Sequence, residues 1–167
     1  MTIRGYTLFC DDIRNELGGK KSFMGVYSQL IAAEGFPLLL PKFAFGITII
    51  FEKDDDPPSQ FLLRIYLPGD EEGKPSISGE IVTEVDGIPP IKRLPDDVRA
   101  MRDKLPMLAA RVDFMVSPLQ LIQSGPIKVE AVFGDDVVPA GWIAVVQRPH
   151  EGVEPTPTVS NVVRPPS

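Results

Sequence analysis

The sequence predicts an all-β protein, an antiparallel two-sheet β-sandwich of Ig-like or C2-like shape that carries one short helix. Apolar residues recur at every second position through most of residues 3–146, and this period places them on one side of a pleated strand. Apart from one segment with helical spacing, the connections between the apolar stretches are too short for crossover helices, which excludes a parallel βαβ architecture. A length of 167 residues fits one domain of this class.

Eight segments have the strand pattern, and clusters of Gly, Pro and Asp separate them. In residues 110–116 and 127–133 the apolar positions alternate with mostly charged ones, so we expect each of these strands to have one solvent-exposed face. Residues 43–51 carry large apolar side chains at odd positions and smaller or mildly apolar ones at even positions, which predicts a central strand. We expect seven to nine strands in all, and the remaining candidates are Ile3–Cys10, Ser22–Leu30, Phe61–Leu67, Ile77–Val85 and Gly141–Val146.

One segment has helical rather than strand spacing. The acidic residues Asp96 and Asp97 precede apolar residues at helical intervals, and Pro106 ends the run. This pattern predicts a short helix over Asp96–Leu105.

The composition changes after Val146, where prolines fall among polar residues without an aromatic side chain. We therefore divide the chain into a β-sandwich domain, residues 1–146, and a flexible Pro-rich tail, residues 147–167. The single histidine, His150, lies in this tail, so we expect it to be solvated.

The charge and the cysteine count exclude several function classes. Lys and Arg number 17 against 23 Asp and Glu, which gives a net charge of −6, and the bases form no run. We therefore expect no nucleic-acid partner. One Cys and one His leave no disulfide framework and no Cys/His zinc set in the sequence.

The sequence also bears on location. The first residues lack the basic and continuously apolar segments of a signal peptide. The most apolar window, residues 43–51, is about half the length that a membrane-spanning helix requires. Together with the lone cysteine, these features predict a cytoplasmic protein without a membrane span.

Enzyme templates fit this chain poorly. The run from Gly18 to Ser22 lacks the first glycine of a phosphate-binding loop, and its Gly-Lys pair is followed by Lys21 where that loop has Ser or Thr. Cys10 lacks a histidine partner, and no serine lies in a Gly-x-Ser-x-Gly turn. We expect no enzymatic activity, and a hydrolase with a carboxylate pair is the third hypothesis, after the two described next.

Acidic residues cluster at the predicted turns. If successive strands run alternately up and down, most of these turns share one end of the sandwich, where their carboxylates meet. Ca²⁺ takes six to eight oxygen ligands, so a cation-dependent binding module is the alternative function. The opposing interpretation is that these acids are solvated turn residues. The candidate metal ligands are Asp11, Asp12, Asp54, Asp56, Asp97 and Asp135.

The apolar run 36–40 contains Pro37 and is followed by Pro41, and prolines resist burial inside a sheet. It predicts a docking edge, and the competing interpretation is that its side chains close the open end of the core. The leading hypothesis is a noncatalytic protein-interaction or assembly module, which binds a protein partner or itself and needs no cofactor. Its candidate partner-binding residues are Phe36, Leu38, Leu39 and Leu40.

Several short motifs are distinctive in combination. They are Cys10-Asp11-Asp12-Ile13-Arg14, Gly18-Gly19-Lys20, Gly25-Val26-Tyr27, Leu67-Pro68-Gly69, Gly125-Pro126-Ile127 and Ala140-Gly141-Trp142. In these motifs the chain resembles a family of uncharacterised bacterial domains of unknown function. The resemblance implies a small β-rich bacterial protein, and it supplies no activity, cofactor or catalytic residue.

Overall fold

The computed structural model describes residues 3–52, 58–82, 95–97 and 107–148, and within these ranges the chain forms twelve β-strands. The all-β sandwich class predicted from the two-residue period is confirmed. A single 3-10 turn, Leu17–Gly19, lies among the first strands. The strands are β1 (Ile3–Cys10), β2 (Asp12–Asn15), β3 (Lys21–Met24), β4 (Leu30–Ala33), β5 (Leu38–Leu40), β6 (Phe43–Glu52), β7 (Gln60–Tyr66), β8 (Ile77–Val82), β9 (Met107–Val116), β10 (Leu119–Leu121), β11 (Gly125–Phe133) and β12 (Asp136–Gln147).

The first layer is a three-stranded antiparallel sheet in the order β1-β6-β9. Strand β6 is central, as its pattern predicts, with Ala44 opposite Cys10 of β1 and Phe43 opposite Val116 of β9. Its five odd-numbered apolar residues are almost fully buried toward the core. The outer side of β6 is small at Gly46, where a Cβ atom would lie 2.6 Å from the ring of Phe23. The β2–β3 hairpin packs there.

The second layer is a five-stranded sheet in the order β4-β12-β11-β7-β8. Three of its four strand pairs are antiparallel, and β4 runs parallel to β12 with Ile31 opposite Val145. The expectation of a wholly antiparallel sandwich is therefore corrected at this pair. The predicted strand Ser22–Leu30 is interrupted because Gly25 adopts a positive φ of 64°, a conformation that an extended strand does not contain.

The core lies between the inner faces of the two layers. Phe45, Ile47 and Ile49 of β6 face Ile127 and Val129 of the second sheet, within one continuous cluster of buried side chains. Each such side chain contributes about 1.5–3 kcal/mol by leaving water. Several phenylalanine rings meet edge to face, as in the pair Phe43 and Phe45 at 5.1 Å.

The two layers come closest where β1 crosses β12. A Cβ atom on Gly5 would lie 2.8 Å from the Cβ of Ala140, and one on Gly141 would lie 3.2 Å from the backbone nitrogen of Thr7. The Thr7 hydroxyl donates a hydrogen bond of 2.6 Å to the carbonyl of Ala140. Side chains larger than those of Gly5, Ala140 and Gly141 would hold β1 and β12 apart.

The strand count exceeds the expected seven to nine because the described residues include five strands of only three or four residues. Seven strands have six residues or more. Asp96 and Asp97 are helical, and the rest of the helix predicted to Leu105 lies outside the described residues.

The end of the domain lies slightly later than expected. Gln147 belongs to β12 rather than to the tail, and the Arg148 amide donates to the carbonyl of Ala33 at 2.8 Å. Residues 149–167, which hold the remainder of the predicted tail, lie outside the described residues. In the part of the chain that is described, no helix is long and apolar enough to cross a membrane.

Candidate functional site

Among the described acidic candidates, Asp11 and Asp12 lie at one end of the sandwich and Asp135 at the other. Strands β1 and β6 are antiparallel neighbours, so Asp11 and Asp12 follow β1 beside the start of β6, whereas β6 ends at Glu52 at the opposite end. Asp135 lies in the turn after Phe133, whose ring meets that of Phe51 edge to face with the ring centres 6.0 Å apart. The prediction of a shared acidic pole is wrong because four short strands, rather than one, separate β1 from β6.

Of the remaining acidic candidates, only Asp97 belongs to the described part of the chain. Asp54 and Asp56 lie outside the described residues, and Asp97 lies in the short helical turn. Within ranges 3–52, 58–82, 95–97 and 107–148, no three side chains of His, Cys, Asp or Glu are grouped so that they could hold a metal ion.

Asp11 is held by the loop that follows β3. The Tyr27 hydroxyl donates a hydrogen bond of 2.6 Å to Asp11 Oδ1, and the Asp11 amide donates to the Met24 carbonyl at 3.0 Å. A Cβ atom on Gly25 would overlap the Asp11 carboxylate. Burial raises the pKa of Tyr27, and the hydrogen bond to Asp11 raises it further, so Tyr27 stays protonated and keeps donating. The Asp-Asp and Gly-Val-Tyr motifs therefore form one packed corner.

Asp12 is paired with cations. Arg14 Nε lies 3.2 Å and Lys42 Nζ 3.7 Å from Asp12 Oδ2. The hydrogen bond from Arg14 and the charge of Lys42 hold the pKa of Asp12 below its ordinary value. This carboxylate is ionised at neutral pH.

Cys10 is fully buried beside this corner. Its Sγ donates to the backbone carbonyls of Asp12, at 3.5 Å, and Ala44, at 3.8 Å. Burial raises the pKa of the Cys10 thiol, and the neighbouring carboxylates of Asp11 and Asp12 also raise it. A protonated, inaccessible thiol is a poor nucleophile.

The predicted docking edge is mostly turned inward. Phe36, Leu38 and Leu40 are half-buried and pack against the core, and β5 pairs with β10 through Leu40 opposite Leu119. Only Leu39 of the four is exposed, at 59%. Three of the four side chains thus pack against the core cluster, and Leu39 alone points to solvent.

A cavity of about 270 Å³ lies between the loop after β7 and the segment that follows β10. Its titratable lining residue, Asp70, accepts hydrogen bonds from the Leu67 amide at 2.8 Å and from the amide and hydroxyl of Ser76, both at 2.7 Å. Partial desolvation raises the pKa of Asp70, but these hydrogen bonds outweigh it and hold the pKa below its ordinary value. Asp70 therefore stabilises the loop through these hydrogen bonds. The other polar groups that line the cavity are amides and hydroxyls.

The Asp70→Asn variant tests this role. We expect a loss of about 1–2 kcal/mol in the free energy of unfolding at neutral pH, because an amide cannot accept all three hydrogen bonds. The pKa of Asp70 is lower in the folded state, so its contribution is present above about pH 4 and disappears as the pH falls through the folded-state pKa. The difference between wild type and variant in urea unfolding should therefore shrink on acidification. The exposed Asp135→Asn change is the control, and an equal effect of both changes would contradict the assignment.

The most exposed large aromatic side chain in the described part of the chain is Trp142, which is 68% exposed although it lies in the interior of β12. Its neighbours Ile143 and Val145 point into the core, so Trp142, Ala144 and Val146 point outward. The outer face of a sheet in contact with water is normally polar. Here three successive outward positions of one strand are apolar.

The strands on both sides of β12 extend this apolar area. Leu30 and Ala32 of β4 lie opposite Ala144 and Val146, and Pro126 of β11 lies on the other side of Ala144. Residues opposite each other in a sheet have Cβ atoms about 4.5–5.5 Å apart, so these side chains are contiguous. We call this set the Trp142 surface, and its members are Leu30, Ala32, Pro126, Trp142, Ala144 and Val146.

One basic side chain borders the Trp142 surface. Lys128 lies opposite Trp142 on β11 and extends toward the ring of Tyr66, with Nζ 6.0 Å from the ring centre. Apolar side chains surrounded by polar ones are typical of a protein-binding surface. Sequence reasoning did not single out Trp142, although the alternation of Gly141–Val146 held the signal: both faces of that strand are apolar, and only one can face the core.

The chain was compared with known families, proteins and structures. The model of a family of unknown function, DUF6941, matches residues 5–136. The matched range ends at the first residue of β12, so Trp142 lies beyond it. Searches of curated proteins and of solved structures found no match.

Proposed function

Because the chain belongs to a family of unknown function, we propose its role from the fold itself: a noncatalytic protein-interaction module that binds a partner protein through the Trp142 surface. The observation that carries this proposal is the exposure of Trp142 as the largest side chain of a contiguous apolar area. Contiguous exposed apolar patches on a folded protein commonly mark interaction sites.

The chemistry of the Trp142 surface suits a binding anchor. Tryptophan is among the residues most enriched at binding hot spots, because its large rigid side chain buries much area at a low cost in conformational entropy. Here the indole is held on a central part of the sheet, so its backbone is ordered before a partner arrives. Ala144, the next outward residue of β12, and Leu30 opposite it lie beside the indole and would exclude water from the contact.

The reactive groups near the N-terminal corner support a role without catalysis. The Cys10 thiol is buried with a raised pKa, and Asp11 and Asp12 are engaged by Tyr27 and Arg14. The contacts of these side chains stabilise the fold. The proposal therefore rests on the exposed Trp142 surface and not on a reactive group.

Trp142 is the only tryptophan, so its fluorescence reports directly on this surface. We expect the isolated full chain to show the red-shifted emission of a hydrated indole and ready quenching by acrylamide. Partner binding should shift the emission to the blue and protect it from quenching. Blue, protected emission from the isolated chain would contradict a free surface. A concentration dependence of that protection would identify a second copy as the occupant, and protection at all dilutions would identify the chain's own tail.

The binding test compares Trp142→Ala with wild type in affinity purification from the native cell, followed by calorimetry with the recovered protein. We expect the variant to fold, since its side chain is largely exposed, and to bind at least 30-fold more weakly, as loss of a hot-spot residue of about 2 kcal/mol implies. Leu17→Ala, which truncates a leucine that is 95% exposed on the 3-10 turn between β2 and β3, should bind as wild type does. Equal affinity of wild type and Trp142→Ala would overturn the proposal.

A further inference from the structure

Strand β9 is a ten-residue strand at the edge of the first sheet. It pairs with β6 over ten residues, and among the described residues no strand pairs with its other side. The opposite edge of the same sheet differs, because β1 is crossed there by β12. A strand of this length with unpaired backbone groups is a ready template for another strand.

The side chains of β9 are complementary to those of a second β9. We propose that the protein forms a homodimer in which β9 pairs antiparallel with β9 of a second copy, about a two-fold axis at Val112. A symmetric contact of this kind uses the same surface on both copies. In this register the facing residues are Arg111 with Asp113, Ala110 with Phe114, and Ala109 with Met115, each pair occurring twice.

In the continuous sheet that the two copies would form, the side chains on both faces are compatible with this pairing. Ala110, Val112 and Phe114 are half-buried and pack against the core. The pairing places them beside their equivalents, so the core side continues across the axis. Arg111 and Asp113 lie on the other side, where opposite charges face each other.

The charged side chains are already placed for this contact. Arg111 stacks over the Phe23 ring at 4.4 Å, and its Nε lies 3.1 Å from Asp113 Oδ1. Lys21 also pairs with Asp113, so two cations hold this carboxylate on the outer side of the sheet. A guanidinium has five N–H donors, and one bond to Asp113 of its own chain leaves others for Asp113 of the second copy.

Neighbouring registers are disfavoured. A two-fold axis at Arg111 would set the two copies of this residue opposite each other, and an axis at Asp113 would do the same for the carboxylates. Like charges directly opposite one another destabilise a strand pair. Of these three registers, only the axis at Val112 pairs opposite charges, and it does so twice.

The first test is the mass of the full chain in solution, measured by sedimentation and light scattering over a dilution series. We expect a species of twice 18.3 kDa that dissociates on dilution. A chain that stays monomeric up to its highest soluble concentration would overturn the inference.

The second test reverses the charges one at a time. Arg111→Asp sets carboxylates opposite Asp113 of the second copy, and Asp113→Arg sets guanidinium groups opposite Arg111, so each single variant should dissociate at least tenfold more readily. An equimolar mixture of the two variants restores both opposite-charge pairs, and we expect a heterodimer of near wild-type affinity. Misfolding of either variant would not be repaired by mixing, so recovery in the mixture identifies the register.

A control separates this contact from general charge effects. Lys74→Asp reverses an exposed charge on the loop after β7 and should leave the dimer unchanged. If the single variants dimerise as wild type does, or if their mixture stays monomeric, the β9 contact is wrong. Trp142 lies on the other sheet, so Trp142→Ala should keep the dimer mass, and the two proposals can fail independently.

Discussion

Replacing Phe45 with alanine is expected to lower the free energy of unfolding by about 3–5 kcal/mol, the range for removing a large buried aromatic side chain. Phe45 is completely buried on the core side of β6. Its ring contacts those of Phe9 at 5.8 Å, Phe43 at 5.1 Å and Phe114 at 6.1 Å, so truncation opens a cavity among three rings that sheet pairing holds in place. Chemical denaturation followed by circular dichroism measures the change.

Two controls accompany this variant. Phe45→Leu fills part of the space and should cost less than half as much as Phe45→Ala, since the loss grows with the volume left empty. Leu39→Ala removes an exposed side chain and should change stability by less than about 0.5 kcal/mol. A loss of under about 1 kcal/mol for Phe45→Ala would show that the aromatic cluster is not packed as described.

Gly5→Val is expected to cost about 3 kcal/mol, at the upper end for overpacking a core. A Cβ atom at this position would already lie 2.8 Å from the Ala140 Cβ, 3.0 Å from its Cα and 3.1 Å from Ile49 Cδ1. Two of these three atoms belong to the Ala140 side chain and backbone, so β1 and β12 must separate. Their separation would also lengthen the hydrogen bond from Thr7 to Ala140. Thermal unfolding of wild type and variant at one protein concentration measures the loss.

A double-mutant cycle tests the mechanism of this loss. Ala140→Gly removes one of the crowded atoms, so Gly5→Val combined with Ala140→Gly should lose less stability than the sum of the two single changes. Strict additivity of the two changes would mean that Gly5 is needed for another reason. An unchanged melting temperature in Gly5→Val would contradict the close crossing altogether.

Much of the fold could be predicted because strict alternation is a strong signal. Strand β1 has the predicted bounds, and the central place of β6 follows from having apolar side chains on both faces. The pattern failed where strands are short. The Leu38–Leu40 run does not alternate, and Leu30–Ala33 is apolar throughout, so period alone could not identify either strand.

The candidate sites were harder to predict because they depend on long-range pairing. The prediction of an acidic pole depended on the direction of every strand. The additional strands between Asp12 and Leu40 change which turns share an end of the sandwich. The corner of Asp11, Gly25 and Tyr27 depends on a positive φ and a side-chain contact that the sequence does not display. The Trp142 surface combines β4, β12 and β11, which are distant in sequence.

The crossing of β1 with β12 also has a consequence for how the chain folds. The hydrogen bond from Thr7 to Ala140 joins positions 133 residues apart, so the first described strand completes its packing against the last. Closing a loop of this length costs entropy before its contacts repay it, and folds dominated by distant pairings reach the native state slowly. During synthesis, the apolar side of β1 is made long before β12 exists. Until β12 is made, the apolar side of β1 can aggregate with other chains. Chaperones that bind nascent chains would prevent this aggregation most effectively during that interval.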